Sequence, residues 1–233
     1  MTLLPRRGPS PTAGAPAPGG VAGRADLGGG WRAWLLPADR PVRRYTQLVG
    51  GIAVQGVGTA LAVHAVLGNM PWDVLHEGVA LTTGLLSIGG WMIAVGLVVL
   101  LLWLPLRERP GVGTVVNTIT AGLWADLFLR VLPAPESVGL AVVLALLGIL
   151  AHGVGTAIYI GAGLGSGPRD GLMTGLVDRF GGSVRVVRTA LEAFVVAVGW
   201  VCGGTIGIMT LVYAVTVGWV IHAVLPYVRV SRA

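Results

Sequence analysis

The chain has 233 residues, of which 54% are apolar and 11% charged. Several stretches approach or exceed the roughly 20 residues that cross a bilayer core with almost no charge, which excludes an ordinary soluble domain. The formal charge of +6 comes from arginine without a single lysine; these arginines lie between apolar runs, not in one patch, which excludes a nucleic-acid footprint.

Residues 1–42 are rich in Pro, Gly and Ala and contain no apolar run long enough for a signal peptide, despite the Arg6-Arg7 pair. They read as a disordered cytoplasmic tail, with Trp31, Trp34, Leu35 and Leu36 as its candidates for contact with the lipid interface. From residue 43 onward the composition is that of a membrane domain. Apolar segments run at about 47–67, 88–104, 112–132, 138–161, 184–201 and 206–224. Lipid forbids unpaired backbone groups, and these runs lack the period-two alternation of barrel strands, so an all-α bundle of about six spans is expected. Two shorter, more polar helical stretches follow Pro71 and Pro168. They are assigned to the interface or to re-entrant dips.

Six spans put Arg43, Arg44, Arg107, Arg109, Arg169, Arg179, Arg185, Arg229 and Arg232 on one side. The opposite side receives Asp73, Glu77, the loop at 133–136 beside Arg130, and the Gly203-Gly204 turn. By the positive-inside rule both termini are cytoplasmic and the chain is a multi-pass protein of a bacterial cell membrane, its partners being the lipid bilayer and a possible small solute or ion. Oligomeric state is not encoded in any visible pattern.

The chain also repeats itself. At an offset of 97, Gly56-Val57-Gly58-Thr59-Ala60 recurs as Gly153-Val154-Gly155-Thr156-Ala157, and the run from Leu67 to Leu75 matches that from Leu164 to Leu172, including Pro71 with Pro168 and Asp73 with Asp170. At an offset of 96, Ser87 matches Ser183, and Gly111, Thr114, Thr120 and Gly122 match Gly207, Thr210, Thr216 and Gly218. Each copy, about 47–132 and 138–226, holds three spans and a short helix. An odd number of spans turns the second copy upside down relative to the first, the construction of many secondary transporters.

The glycine-rich first helix, the Leu-Gly-x-x-Pro-Trp-Asp-x-Leu-His run from Leu67 to His76, the Gly113-Thr114-x-x-Asn117 segment with Asp126 near its end, and the Gly-Gly-x-x-Gly turn before the last span occur together. In this the chain resembles the YczE-like membrane proteins, relatives of the YitT group, from about Arg44 to the sixth span. The resemblance implies a bacterial multi-pass membrane protein and supplies no catalytic or substrate-binding residue.

Asp73 and Asp170 fall two residues after a helix-opening proline, where a carboxylate can accept from free backbone N–H groups or, at two matching helix starts, frame a solute path. Glu192 sits mid-span one turn after Arg188, so an i to i+4 ion pair or a functional charge is expected. Asp126 and Arg130 form a similar candidate pair. Gln55, Asn117 and His152 lie within spans, and Gln55 and His152 occupy equivalent repeat positions, which points to a central polar cluster. The glycine runs suit close helix crossing; without lysine or a preceding strand they do not make a phosphate loop, and no cofactor or metal site is expected. Ser166 with His222 is the one pair an intramembrane serine protease could use, but a turn role shared with the aligned Asn69 explains Ser166 without chemistry. The sequence reading is thus a transporter-like, non-enzymatic permease whose site draws on Gln55, Asp73, Asn117, His152, Asp170, Arg188 and Glu192. A non-transporting membrane scaffold is the alternative.

Overall fold

The computed structural model describes residues 39–230; the expected disordered tail, with Trp31, Trp34, Leu35 and Leu36, falls mostly outside the described residues. Within them the protein is all helical: α1 (Pro41–Ala65), α2 (Pro71–Thr83), α3 (Ile88–Leu106), α4 (Val112–Val131), α5 (Val138–Gly161), α6 (Pro168–Phe180), α7 (Val184–Val201) and α8 (Ile208–Val228). Pro71 and Pro168 each open a 13-residue helix, where the missing N–H costs nothing and the fixed φ suits the first turn. Ser87 and Ser137 cap α3 and α5, accepting from the backbone N–H of Gly90 and Leu140.

Five helices, α1, α3, α4, α5 and α8, are long and apolar enough to cross a membrane. The expected sixth span is α7, which is 18 residues long but carries Arg185, Arg188 and Glu192. Its charge keeps it outside that group. Leu101 and Leu104 on α3 and Leu211, Val215 and Trp219 on α8 are exposed, apolar surface on each helix that lipid, not water, would cover.

The bundle is organised on the crossing of α1 and α5. A Cβ on Gly51 would come within 2.8 Å of the Gly155 carbonyl oxygen, and one on Gly155 within 2.6 Å of that of Gly51. Gly58 and Gly148 meet in the same reciprocal way further along. Backbones approach this closely only where side chains are absent, and the close approach maximises dispersion contacts in a solvent that offers no hydrophobic drive between helices. Leu48 and Ile52, fully buried, fill the space between α1, α4 and the end of α5.

Around this crossing the same contacts occur twice. The Gly113 N–H donates to the Leu164 carbonyl at 2.8 Å, and the Met209 N–H donates to the Leu67 carbonyl at 3.2 Å. Each turn between a long helix and the following short one therefore ties down the start of a helix in the other half of the chain. Gly68 and Gly165 make these turns possible with φ of 114° and 136°, and they abut Gly207 and Gly111.

The short helices pack across the chain as well. Gly78 of α2 rests on the backbone of Gly199 in α7, and Glu77 accepts from Asn69 Nδ2 and from the backbone N–H and hydroxyl of Thr205. On α6, Gly171 receives the Trp103 ring of α3, whose Nε1–H donates to the Pro168 carbonyl at 3.0 Å.

The two remaining seams differ. α3 lies close along α4 because Gly89 and Gly122 face one another, whereas α7 and α8 share almost no contacts. At the tight α3–α4 seam the structure corrects the expected Asp126–Arg130 pair. Asp126 instead accepts from the Ser87 hydroxyl and from the Gly89 N–H at 2.9 Å, and Arg130 is exposed. The close crossing brings the carboxylate in front of the free N–H groups at the start of α3, a stronger attraction than an exposed neighbour on its own helix.

Gly58→Ala drives a methyl into the His152 N–H and Gly148 carbonyl, so its melting temperature in detergent is expected to fall by the equivalent of about 1–3 kcal/mol. Gly139→Ala, with nothing near its Cβ, is the control and leaves the melting temperature unchanged.

Candidate functional site

A cavity of about 1070 Å3 lies within the bundle, and Gln55, Asn117, His152, Asp170, Arg188 and Glu192 all line it. Asp73 does not. It is 1% exposed and reaches the cavity only through His76, which lies 3.3 Å away and contributes to the wall.

The innermost part of the wall is a hydrogen-bonded row. Asn117 Nδ2 donates to Gln55 Oε1 at 3.4 Å, Gln55 Nε2 lies 3.2 Å from His152 Nε2, and His152 Nδ1 lies 3.2 Å from the Tyr213 hydroxyl. The directions agree when His152 is neutral with its proton on Nδ1: it accepts from Gln55 and donates to Tyr213, leaving the phenolic O–H as a donor. Gln55 and His152 face each other because they lie one helical turn from the glycines of the α1–α5 crossing. The central polar cluster expected from the sequence therefore forms and includes one residue not singled out there. Tyr213 could have been found, since the 96-residue offset carries Asn117 onto it.

The paired aspartates have different partners: Asp73 meets a histidine, whereas Asp170 accepts from the backbone N–H of Gly167 at the start of its own helix. Asp73 Oδ1 meets His76 Nδ1, while Asp73 Oδ2 and His76 Nε2 are buried without a hydrogen-bond partner among the described residues. Asp170 lies 3.4 Å from the Tyr159 hydroxyl and beside Gly167 at the start of α6. The neighbouring Trp72 and Arg169, equivalent by the repeat yet chemically unlike, meet each other: the Arg169 guanidinium carbon stands 4.9 Å from the Trp72 ring centroid. A cation on an aromatic face joins the beginnings of α2 and α6.

Arg188 Nε donates to Glu192 Oε1 at 2.9 Å, the expected pair one turn apart on α7, with the arginine side chain 41% exposed. Arg44, read from the sequence only as a topology marker, is buried, bonded to Asp39 Oδ2 at 2.6 Å and to the Ala162 carbonyl at 2.7 Å, and lines the same cavity. Ser166 lines the cavity, but its carbonyl is taken by the Thr114 hydroxyl and His222 stands on the exposed surface of α8.

Removing one member of the polar row strands its neighbours. Gln55→Leu is expected to cost about 1–2 kcal/mol and His152→Leu a similar amount, the helix–helix value for such bonds being near 1 kcal/mol. The double variant should lose less than the sum because the two share a bond. Thermal unfolding of the three proteins reads this coupling. On α7, Glu192→Gln alone leaves Arg188 uncompensated and lowers the melting temperature, and Glu192→Gln with Arg188→Met recovers most of the loss.

Comparison with known proteins agrees with the membrane architecture. The "Family of unknown function (DUF6198)" matches residues 42–226. The chain is 38% identical over 175 residues to an "Uncharacterized protein" of Haemophilus influenzae, covering 75% of this chain and 80% of that one. It is 33% identical over 187 residues to the "Uncharacterized membrane protein YczE" of Bacillus subtilis, with 79% and 86% covered, and 28% identical over 185 residues to the "Uncharacterized protein YyaS" of the same organism, with 77% and 90% covered. No solved structure matches. With a family match over most of its length and a YczE relative above 30% identity, the chain belongs to the DUF6198 family and is a YczE-like membrane protein of multiple apolar helices.

Proposed function

We propose that the protein is a transporter-like permease of the bacterial cytoplasmic membrane, built of two inverted three-span halves, with both termini cytoplasmic and a substrate site in the shared cavity. The observation that carries this reading is the Asn117–Gln55–His152–Tyr213 row. Its members come in pairs at equivalent repeat positions, two from each half, and they set a polar row into the wall of a largely apolar cavity. Hydrogen-bonding groups that only hold helices together need no cavity beside them, whereas a solute path needs both. The paired turn bonds from Leu67 and Leu164 support the inverted arrangement, because each half anchors the other through the same donor and acceptor. In such folds the site lies where the halves meet, near the middle of the membrane. α7 serves as the sixth span, its Arg188 and Glu192 turned to the cavity as an ion pair.

Topology and binding test separate parts of this proposal. Reporters fused after Arg109 or after Arg179 should report the cytoplasm, and one inserted between residues 73 and 84 the outside; opposite sides for the first two would sink the inverted arrangement. A thermal-shift screen of small polar solutes and ions on the purified protein should find a stabilising ligand, with the shift following RT ln(1 + [L]/Kd). Loss of that shift in Gln55→Leu, at concentrations where the parent responds, assigns the ligand to the polar row. A ligand-free protein across the screen would instead favour a scaffold.

A further inference from the structure

The two halves differ at one seam, and the difference exposes the cavity sideways. Between α3 and α4 the backbones touch: a Cβ on Gly122 would clash with the Gly89 carbonyl oxygen, and Gly96 abuts Thr118. The equivalent positions on α7 hold Arg185 and Glu192 in place of Gly89 and Gly96. α8 keeps the matching glycine, Gly218, but nothing lies within 4 Å of where its Cβ would be. Two charged side chains thus stand where two glycines would let the helices close, and α7 and α8 share almost no contacts. Both helices nevertheless line the cavity, α7 with Arg188, Leu191 and Glu192, α8 with Tyr213, Ile221 and Leu225.

The seam is bordered by an apolar helix, so what faces it at that depth is lipid, and it leads to groups that suit an anion. The starts of α2 and α6 both reach the cavity, with Met70, Pro71 and Trp72 from one and Gly167, Pro168 and Arg169 from the other; each first turn already holds a carboxylate, Asp73 against His76 and Asp170 against the Tyr159 hydroxyl, and Arg169 supplies the positive charge between them. Arg169 rests on Trp72 with no carboxylate within salt-bridge distance among the described residues. His76, 0% exposed, turns to the cavity wall with Nε2 unpartnered, and the buried Thr156 hydroxyl on the same wall is also unpartnered. These polar atoms have no hydrogen-bond partner among the described residues and can take one from a ligand: with Nδ1–H given to Asp73, His76 Nε2 accepts from a head-group O–H, and the Thr156 hydroxyl donates.

We infer that the seam between α7 and α8 is a lateral entrance from the bilayer, and that the cavity takes a single-chain amphiphile whose anionic head group sits at Arg169, His76 and the starts of α2 and α6 while its tail lies in the seam. The inference rests on the permease reading of the cavity and names its substrate class. An apolar tail in the seam adds affinity in proportion to the area it covers, so head group and amphiphile differ in binding even though they share the same polar contacts.

The test uses the full chain in nanodiscs of phosphatidylcholine, with isotopically labelled lysophosphatidic acid, glycerol 3-phosphate as the head group alone, and lysophosphatidylcholine as the zwitterionic analogue. Lysophosphatidic acid should bind more tightly than either of the others, and Arg169→Gln should weaken it about tenfold or more, as loss of a charge-assisted hydrogen bond does. Gly218→Trp fills the seam without a clash at its Cβ. It should abolish or strongly weaken lysophosphatidic acid binding and leave any glycerol 3-phosphate binding intact. Should that variant fail to fold, Gly218→Cys on a Cys202→Ser background serves instead, with lysophosphatidic acid protecting the new thiol from a lipid-soluble maleimide. Equal binding of head group and amphiphile, unaffected by Gly218→Trp, overturns the lateral entrance while leaving a water-side permease intact. Absence of lysophosphatidic acid binding overturns the substrate class, and a Gly218→Cys disulfide between two copies shows that a second chain closes the seam.

Discussion

The close crossing of α1 on α5 is the contact on which the remainder of the structure depends. Gly51 against Gly155 and Gly58 against Gly148 bring two backbones together in surroundings where apolar side chains gain little by leaving lipid for protein. Surface fit must then supply the attraction that water supplies in a soluble core. Four glycines at helical spacing achieve this, and the rotation they impose fixes every residue one turn away. Gln55 and His152 face each other for that reason, and neither could do so if the helices stood a side chain's width further apart.

From the crossing the geometry passes outward through backbone groups. The turns at Leu67 and Leu164 each lend a carbonyl to the first turn of α8 and α4, groups that would otherwise be unsatisfied at a buried helix start. This exchange holds the beginnings of α2 and α6 against the cavity, where Trp72 and Arg169 meet. Glu77 and Trp103 then lock the same two short helices to the opposite half, through Thr205 and the Pro168 carbonyl. The polar row of the site is hydrogen-bonded from Asn117 through to Tyr213. The site is loosely enclosed only along α7.

Charge placement follows from the same packing. On α3, glycine at positions 89 and 96 permits contact with α4; on α7, Arg185 and Glu192 cannot be buried between helices without a desolvation cost. Glu192 turns instead to the cavity, where it pairs with Arg188, and Arg185 stays exposed. The bundle thus has one side closed by glycines and one side open along charged residues.

The sequence by itself determined the class of fold, the existence of eight helical segments, the two prolines that start the short ones, and the family of membrane proteins the chain resembles. It could do so because hydropathy, proline and glycine act locally, within one helix or one turn. It also pointed to Gln55 and His152, through repeat positions that tertiary contact joins, and to Asn117 as a polar group within a span. What only the tertiary structure decided is which partners those residues choose. Asp126 prefers the start of α3 to Arg130, Asp73 is buried against His76, and Arg44 becomes part of a cavity wall. Tyr213 completes a row begun 158 residues earlier in the chain, at Gln55. A side chain's partner depends on the angle and distance at which helices far apart in sequence cross, and no local pattern carries that information.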